Sequence, residues 1–154
     1  MSEQNVAAVV RQFFDMNIRA IHGERVDIFA LMHEELVWTM TGSTPVARTY
    51  RGLKEFKDII GQALATQFRT DPSFGLYLRK LIVSGNRAAV IARGHCESAH
   101  GHTYNNHYFF FMEVRDGKLY RVLESCDGSL VWQSVFDRHL EPSSTDLPGK
   151  SGAP

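Results

Sequence analysis

Residues 104–119 read Tyr-Asn-Asn-His-Tyr-Phe-Phe-Phe-Met-Glu-Val-Arg-Asp-Gly-Lys-Leu, and the reading of this stretch decides the fold. Alternation along a strand puts Tyr104, Asn106, Tyr108, Phe110 and Met112 on one side, with His107, Phe109, Phe111 and Glu113 on the other. Asp116-Gly117, between Arg115 and Lys118, is a strong hairpin signal, because a type I′ turn needs positive φ at both central positions. The stretch is therefore one arm of an antiparallel pair whose second arm is 118–126. An antiparallel sheet with one face in water is polar on that face. Here phenylalanines point both ways, so both faces are expected to be covered: one by helices, the other by a second copy of the chain.

Upstream, 74–84 and 87–98 read as two more strands separated by Ser84-Gly85-Asn86, and 99–103 is short enough for another antiparallel return. Before them, Val6, Val9, Val10, Phe13, Phe14, Ile18 and Ile21 recur at helical spacing over 4–22, and Gly23 sits where a helix is capped. A shorter helix carrying Val26, Phe29 and Met32 follows. Leu36 to Met40 reads as a strand stopped by Gly42-Ser43-Thr44-Pro45. A third helix shows Leu53, Phe56, Ile59, Ile60, Ala63 and Leu64, and Asp71-Pro72 breaks the chain before the strands. Helices first and long strands after predict an α+β domain, with helices on one face of a curved antiparallel sheet. Residues 1–140 form that domain. Residues 141–154 hold three of the five prolines among Ser, Thr, Gly and Asp, and are expected to be a disordered tail.

Composition narrows the function classes. The chain has 154 residues, 44% hydrophobic and 22% charged, enough to bury a core. Lys+Arg and Asp+Glu are both 17. That balance argues against nucleic acid or an anionic membrane surface as the main partner, since both require a basic excess. No apolar stretch approaches the roughly 20 residues of a bilayer crossing. The first residues lack a secretory pattern, and Cys96 and Cys126 make neither a disulfide framework nor a metal knuckle. A cytoplasmic location is the expectation.

Several segments together suggest a family. Tyr104-Asn105-Asn106-His107-Tyr108, Val114 to Leu119, and Leu123-Glu124-Ser125-Cys126-Asp127 resemble the aromatic–Asn–aromatic strand, the D-G-K-I hairpin and the closing R-E-Y-x-D strand of SnoaL-like proteins. Gly42 to Pro45, Tyr50-x-Gly52 and Phe56 look like the segment between that family's first strand and third helix. The resemblance spans about residues 5–137. It places the chain in the superfamily of nuclear transport factor 2, ketosteroid isomerase and the SnoaL-like polyketide cyclases. It implies a cone, in which a cone-shaped curved antiparallel sheet wraps around three N-terminal helices and encloses a ligand pocket. It implies little about the reaction, because the fold hosts enzymes, binding modules and transport factors. Where ketosteroid isomerase keeps its aspartate base, this chain has Thr39 or Met40, and the isomerase's second aspartate falls near Phe110. Both departures argue against the steroid isomerase mechanism. The Arg–Asp–Asp arrangement of limonene epoxide hydrolases is not recognisable either.

Glu124 is the leading acid/base candidate, since a carboxylate inside an apolar cone has its pKa raised toward neutrality. An ordinary strand-end charge is the alternative. Asp127 is a second candidate carboxylate, although an Asp before Gly128 also suits a turn. His95 shares a strand face with Arg93 and Glu97, a face that is either pocket wall or interface, and its imidazole titrates near neutrality. Trp38, Met40, Tyr50, Phe56, Tyr104, Tyr108 and Phe110 would line an aromatic cavity suited to a flat hydrophobic molecule, or else pack as solid core. His100 and His102 flank Gly101 and permit a metal site, against the plainer reading of a polar loop. No metal or cofactor is assigned. Two functions remain open: cofactor-free isomerisation, cyclisation or dehydration of an apolar carbonyl-bearing metabolite, or a non-catalytic small-molecule-binding or dimerisation module.

Overall fold

In the computed structural model, residues 2–68 and 74–138 are described. The expected tail at 141–154 lies outside them. Helix α1 (Glu3–Ile21) opens on Ser2, whose side chain accepts a hydrogen bond from the Asn5 N–H. Its buried face is Val6, Val10, Phe13, Phe14 and Asn17. Where a second helix is expected there is only a 3-10 turn, Ile28–Leu31, because Met32 already belongs to strand β1 (Met32–Met40). A short strand β2 (Thr49–Arg51) pairs back on β1. The third expected helix runs as α2 (Leu53–Phe56), a π turn (Lys57–Gly61) and α3 (Gln62–Gln67).

The remaining strands are β3 (Gly75–Ser84), β4 (Arg87–Glu97), β5 (Thr103–Tyr104), β6 (His107–Arg115) and β7 (Lys118–Cys126). The β6–β7 turn has φ of 51° at Asp116 and 74° at Gly117, the double positive value that a type I′ hairpin requires. The strand order is β2-β1-β7-β6-β4-β3, with β5 paired to β4. From β3 to β7 every pairing is antiparallel.

One pairing departs from the antiparallel expectation: β1 lies parallel to β7, with Trp38 opposite Val122 and Met40 opposite Glu124. The sheet is thus a mixed, curled half-barrel around the helices. After β7, Gly128–Leu130 (α4) continues into a π turn, Val131–Val135, that also packs against the concave side. No helix among the described residues is long and apolar enough to cross a membrane.

The single strand expected over 104–115 is interrupted at Asn105 and Asn106 into β5 and β6, but the predicted alternation of faces holds across the break. Tyr104, Asn106, Tyr108, Phe110 and Met112 are buried, whereas Phe109 and Phe111 are 56% and 48% exposed. In β3 a register shift between Leu78 and Lys80 changes the parity. Leu76 and Leu78 pack inward before it, Leu81 and Val83 after it, and Ile82 is left outside.

Candidate functional site

The concave side of the sheet does not close on the helices. A cavity of about 140 Å³ remains, bounded by α1, α2, the π turns and the inner residues of β1, β6 and β7. That is the size of an engineered cavity that holds one benzene ring. Trp38, Met40, Phe56, Tyr104, Tyr108 and Phe110 all line it. Trp38 stacks on Phe56 with ring centroids 4.6 Å apart, and Tyr108 stacks on Phe110 at 5.6 Å. The wall is therefore made of flat faces held by one another.

Tyr50, expected in the same wall, is not brought there. It is wholly buried behind Phe56, and its hydroxyl donates to the Val46 carbonyl at 2.7 Å, so it supports the wall from outside the cavity. Gly94 in β4 is needed for the wall's shape: a Cβ there would come within 2.7 Å of the Tyr108 ring and 2.9 Å of Phe74.

Glu124 lines the cavity from β7. The parallel β1–β7 register brings Trp38 alongside it, and the indole Nε1–H donates to Glu124 Oε2 at 2.7 Å. Among the described residues, that is the side chain's one hydrogen bond, which leaves Oε1 for a ligand. Loss of water around the carboxyl pushes its pKa up to about 7, and the Trp38 bond opposes the rise only in part. A carboxyl that titrates near neutrality serves as proton donor and acceptor in one turnover.

The tyrosines form a second polar group. Tyr104 and Tyr108 hydroxyls are 2.6 Å apart, and Asn106 Nδ2 donates to the Tyr104 oxygen at 3.1 Å. Asn106 also grips the end of β7: its Nδ2 donates to the Asp127 carbonyl and its Oδ1 accepts from the Asp127 N–H. Since the amide nitrogen only donates, the Tyr104 oxygen is already an acceptor. Either hydroxyl can donate to the other, and when Tyr104 donates, the Tyr108 proton is left for the cavity. Burial raises both phenols well above their ordinary range, so both remain neutral donors.

Two of the three residues expected to carry chemistry lie elsewhere. His95 is exposed on the outer side of β4, because alternation turns its neighbours Gly94 and Cys96 inward, and it does not join Glu124. Asp127 caps α4, its Oδ1 accepting from Ser129 N and Leu130 N, and its place is the turn rather than the cavity. His102 is 2.9 Å from Asp137 Oδ1, and His100 is exposed. Among the described residues no three His, Cys, Asp or Glu side chains converge. Cys126 lines the cavity, and burial pushes its thiol up to about 12.

The polar residues of the site that were not among the expected ones are Asn17, Thr41 and Thr44, which line the cavity, and Asn106, which holds Tyr104. The two asparagines have a sequence signal: Asn106 falls on the inward side of an otherwise aromatic alternation, and Asn17 continues the 6, 10, 13 spacing of the apolar face of α1.

Comparison with known proteins adds the family. Residues 6–122 match the family model of the SnoaL-like domain. No curated protein matches the sequence. Among solved structures, an NTF2-like protein from Burkholderia xenovorans LB400 is 21% identical, with a TM-score of 0.63 over 88% of this chain and 98% of its own. A candidate SnoaL-like polyketide cyclase from Jannaschia sp. CCS1 is 16% identical, with a TM-score of 0.68 over 89% and 95%. TerC, co-crystallised with polyporic acid, is 21% identical, with a TM-score of 0.66 over 86% and 98%. At these identities the three likenesses establish the fold.

Proposed function

Because this chain belongs to the SnoaL-like domain family within the nuclear transport factor 2-like superfamily, we propose that its cavity is the active site of a small-molecule enzyme. The reading is cofactor-free acid/base chemistry, an isomerisation, cyclisation or dehydration, on a flat apolar molecule bearing a carbonyl. One observation carries it: the Glu124 carboxyl lies in an aromatic cavity, anchored through one oxygen by Trp38, with a pKa near 7.

In this reading Glu124 Oε1 removes a proton from the carbon next to the substrate carbonyl. The electron pair moves onto the carbonyl oxygen, where the Tyr108 hydroxyl donates a hydrogen bond to the developing charge. Glu124 then returns the proton at another atom, or to a leaving hydroxyl. Trp38 keeps the carboxyl from rotating away between the two transfers. The aromatic walls supply binding without competing for the proton.

A non-catalytic binding module is the second reading, and Met40 favours it. This thioether stands opposite Glu124 in the β1–β7 register, and with Thr39 or Met40 at the position of the ketosteroid isomerase base, Glu124 is the one carboxyl among the described residues that line the cavity. Glu124→Gln separates the readings, since it preserves shape and removes the exchangeable proton. As an enzyme, the variant binds its ligand and loses about two to four orders of magnitude in turnover. An unchanged function would leave the binding module.

The outer face completes the proposal. Ile82, Phe111 and Leu123 share one line across the sheet, through the partners Ile82–Ala89–Phe111–Leu123, and all three are exposed. With Phe109 they form an apolar patch of the kind a second copy covers in a homodimer. A monomer of 17.4 kDa by light scattering at micromolar concentration would refute it.

A further inference from the structure

Asn17 sits on α1 among Val10, Phe13 and Phe14, is 6% exposed and lines the cavity. Its Nδ2 donates to the Phe13 carbonyl at 2.8 Å. In an α-helix that carbonyl already receives the N–H of residue 17, so the helix does not need the side-chain bond. The bond does, however, fix the amide's orientation: only the NH₂ end donates to a carbonyl, so Oδ1 is the end turned away from the helix backbone.

Oδ1 has no hydrogen-bond partner among the described residues. None of their fully occluded side-chain polar atoms lacks a partner, so Oδ1 reaches open space, and the space Asn17 lines is the cavity. Asparagine is also a poor helix-interior residue, and burying it on an apolar face costs stability. An acceptor on a residue only 6% exposed, held in place by the Phe13 bond and turned toward the cavity, is set to meet a ligand donor.

We propose that Asn17 is a ligand contact whose Oδ1 accepts a hydrogen bond from a hydroxyl or N–H group, so the cavity selects flat apolar molecules carrying such a donor besides the carbonyl. The inference rests on the cavity being the binding site, as argued above. It adds a specificity determinant on the helix side, facing the sheet that carries Glu124 and the tyrosines. A hydroxyl-bearing ring gains Oδ1, whereas its methyl analogue leaves Oδ1 buried and unpaired. Sites built this way discriminate strongly against the analogue that lacks the donor.

The test uses p-cresol and p-xylene, single-ring probes of nearly equal size that differ by a hydroxyl for a methyl. Their affinities are measured by calorimetry on the full chain. Wild type should prefer p-cresol by about tenfold or more, the worth of one well-made hydrogen bond. Asn17→Leu should bring the ratio below about threefold, with a melting temperature unchanged or raised, since it replaces a polar side chain on the apolar face of α1. Asn17→Ala should lose the ratio as well, and His95→Ala, on the outer side of β4, should keep it. A ratio that survives both Asn17 variants, or that disappears only in Glu124→Gln, overturns the assignment. So does a wild-type ratio near one, or a large fall in melting temperature in both Asn17 variants, which would make Asn17 structural. If neither probe binds wild type, the cavity reading itself fails, and this inference fails with it.

Discussion

Phe110 and Phe111 are neighbours in β6 with the same side chain, yet one is 4% exposed and the other 48%. The inner face, carrying Tyr108, Phe110, Val122 and Glu124, stacks its rings on one another and on residues from the helices. Among the described residues, the outer face carrying Phe109, Phe111 and Leu123 stands exposed. The difference shows how a two-residue period gives identical side chains unlike surroundings: the inner aromatics line a cavity, and the outer ones stand exposed. It also shows that apolar character alone does not mark the site. What distinguishes the inner face is a few polar groups whose positions are fixed by named partners.

The contrast breaks most sharply at Glu124, where the Gln variant is expected to lose about two to four orders of magnitude in turnover while changes on the outer face leave turnover intact. Stability provides the next test. Burial pushes the Glu124 carboxyl of the folded protein up to about 7, above the ordinary glutamate value of about 4.5, so the unfolded chain releases its proton first as pH rises. The contribution is therefore full below about 4.5 and lost by about 7, and at about 1.4 kcal/mol per unit it amounts to about 3 kcal/mol at most. Denaturant melts at pH 4.5 and pH 8 should show this fall in wild type, and a smaller one in Glu124→Gln.

On the outer face, Phe109→Lys with Phe111→Lys should weaken self-association by about a hundredfold or more, read by sedimentation. A wild-type monomer would remove the contrast altogether. Trp38→Phe keeps the stacking on Phe56 and deletes the indole donor. Because that bond lowers the Glu124 pKa, its loss should move the pH profile of turnover upward and reduce the rate by about tenfold. The smallest effect is expected at His95, exposed on the outer side. His95→Ala should leave turnover within about twofold of wild type, and a larger loss would place the histidine in the site after all.

The order of elements, the β6–β7 hairpin and the identity of the inner face were legible because each rests on local periodicity or on a turn whose φ values Asp-Gly accommodates. The family resemblance, rather than periodicity, singled out Glu124, and six of the seven aromatic and thioether residues expected from it in the wall line the cavity. It misassigned Tyr50, whose hydroxyl is engaged by Val46 only four residues away, and left His95 ambiguous, because a strand's period does not reveal which of its two faces is inside. The helix expected around Phe29 was lost for another reason: β1 begins at Met32 to reach its pairing with β7, and strand pairing overrides a weak local helix signal.

The sequence by itself determined the α+β class, the alternating faces and the inventory of groups available for chemistry, because these depend on neighbours within a few residues. Only the tertiary structure decided that β1 lies parallel to β7, that Trp38 therefore reaches a carboxyl 86 residues away, and that Asn17 and Asn106 turn their amides toward the same interior. Those relations bring together segments far apart in the chain. They follow from how a curled sheet closes over a helix, and no local pattern encodes the distance across that gap.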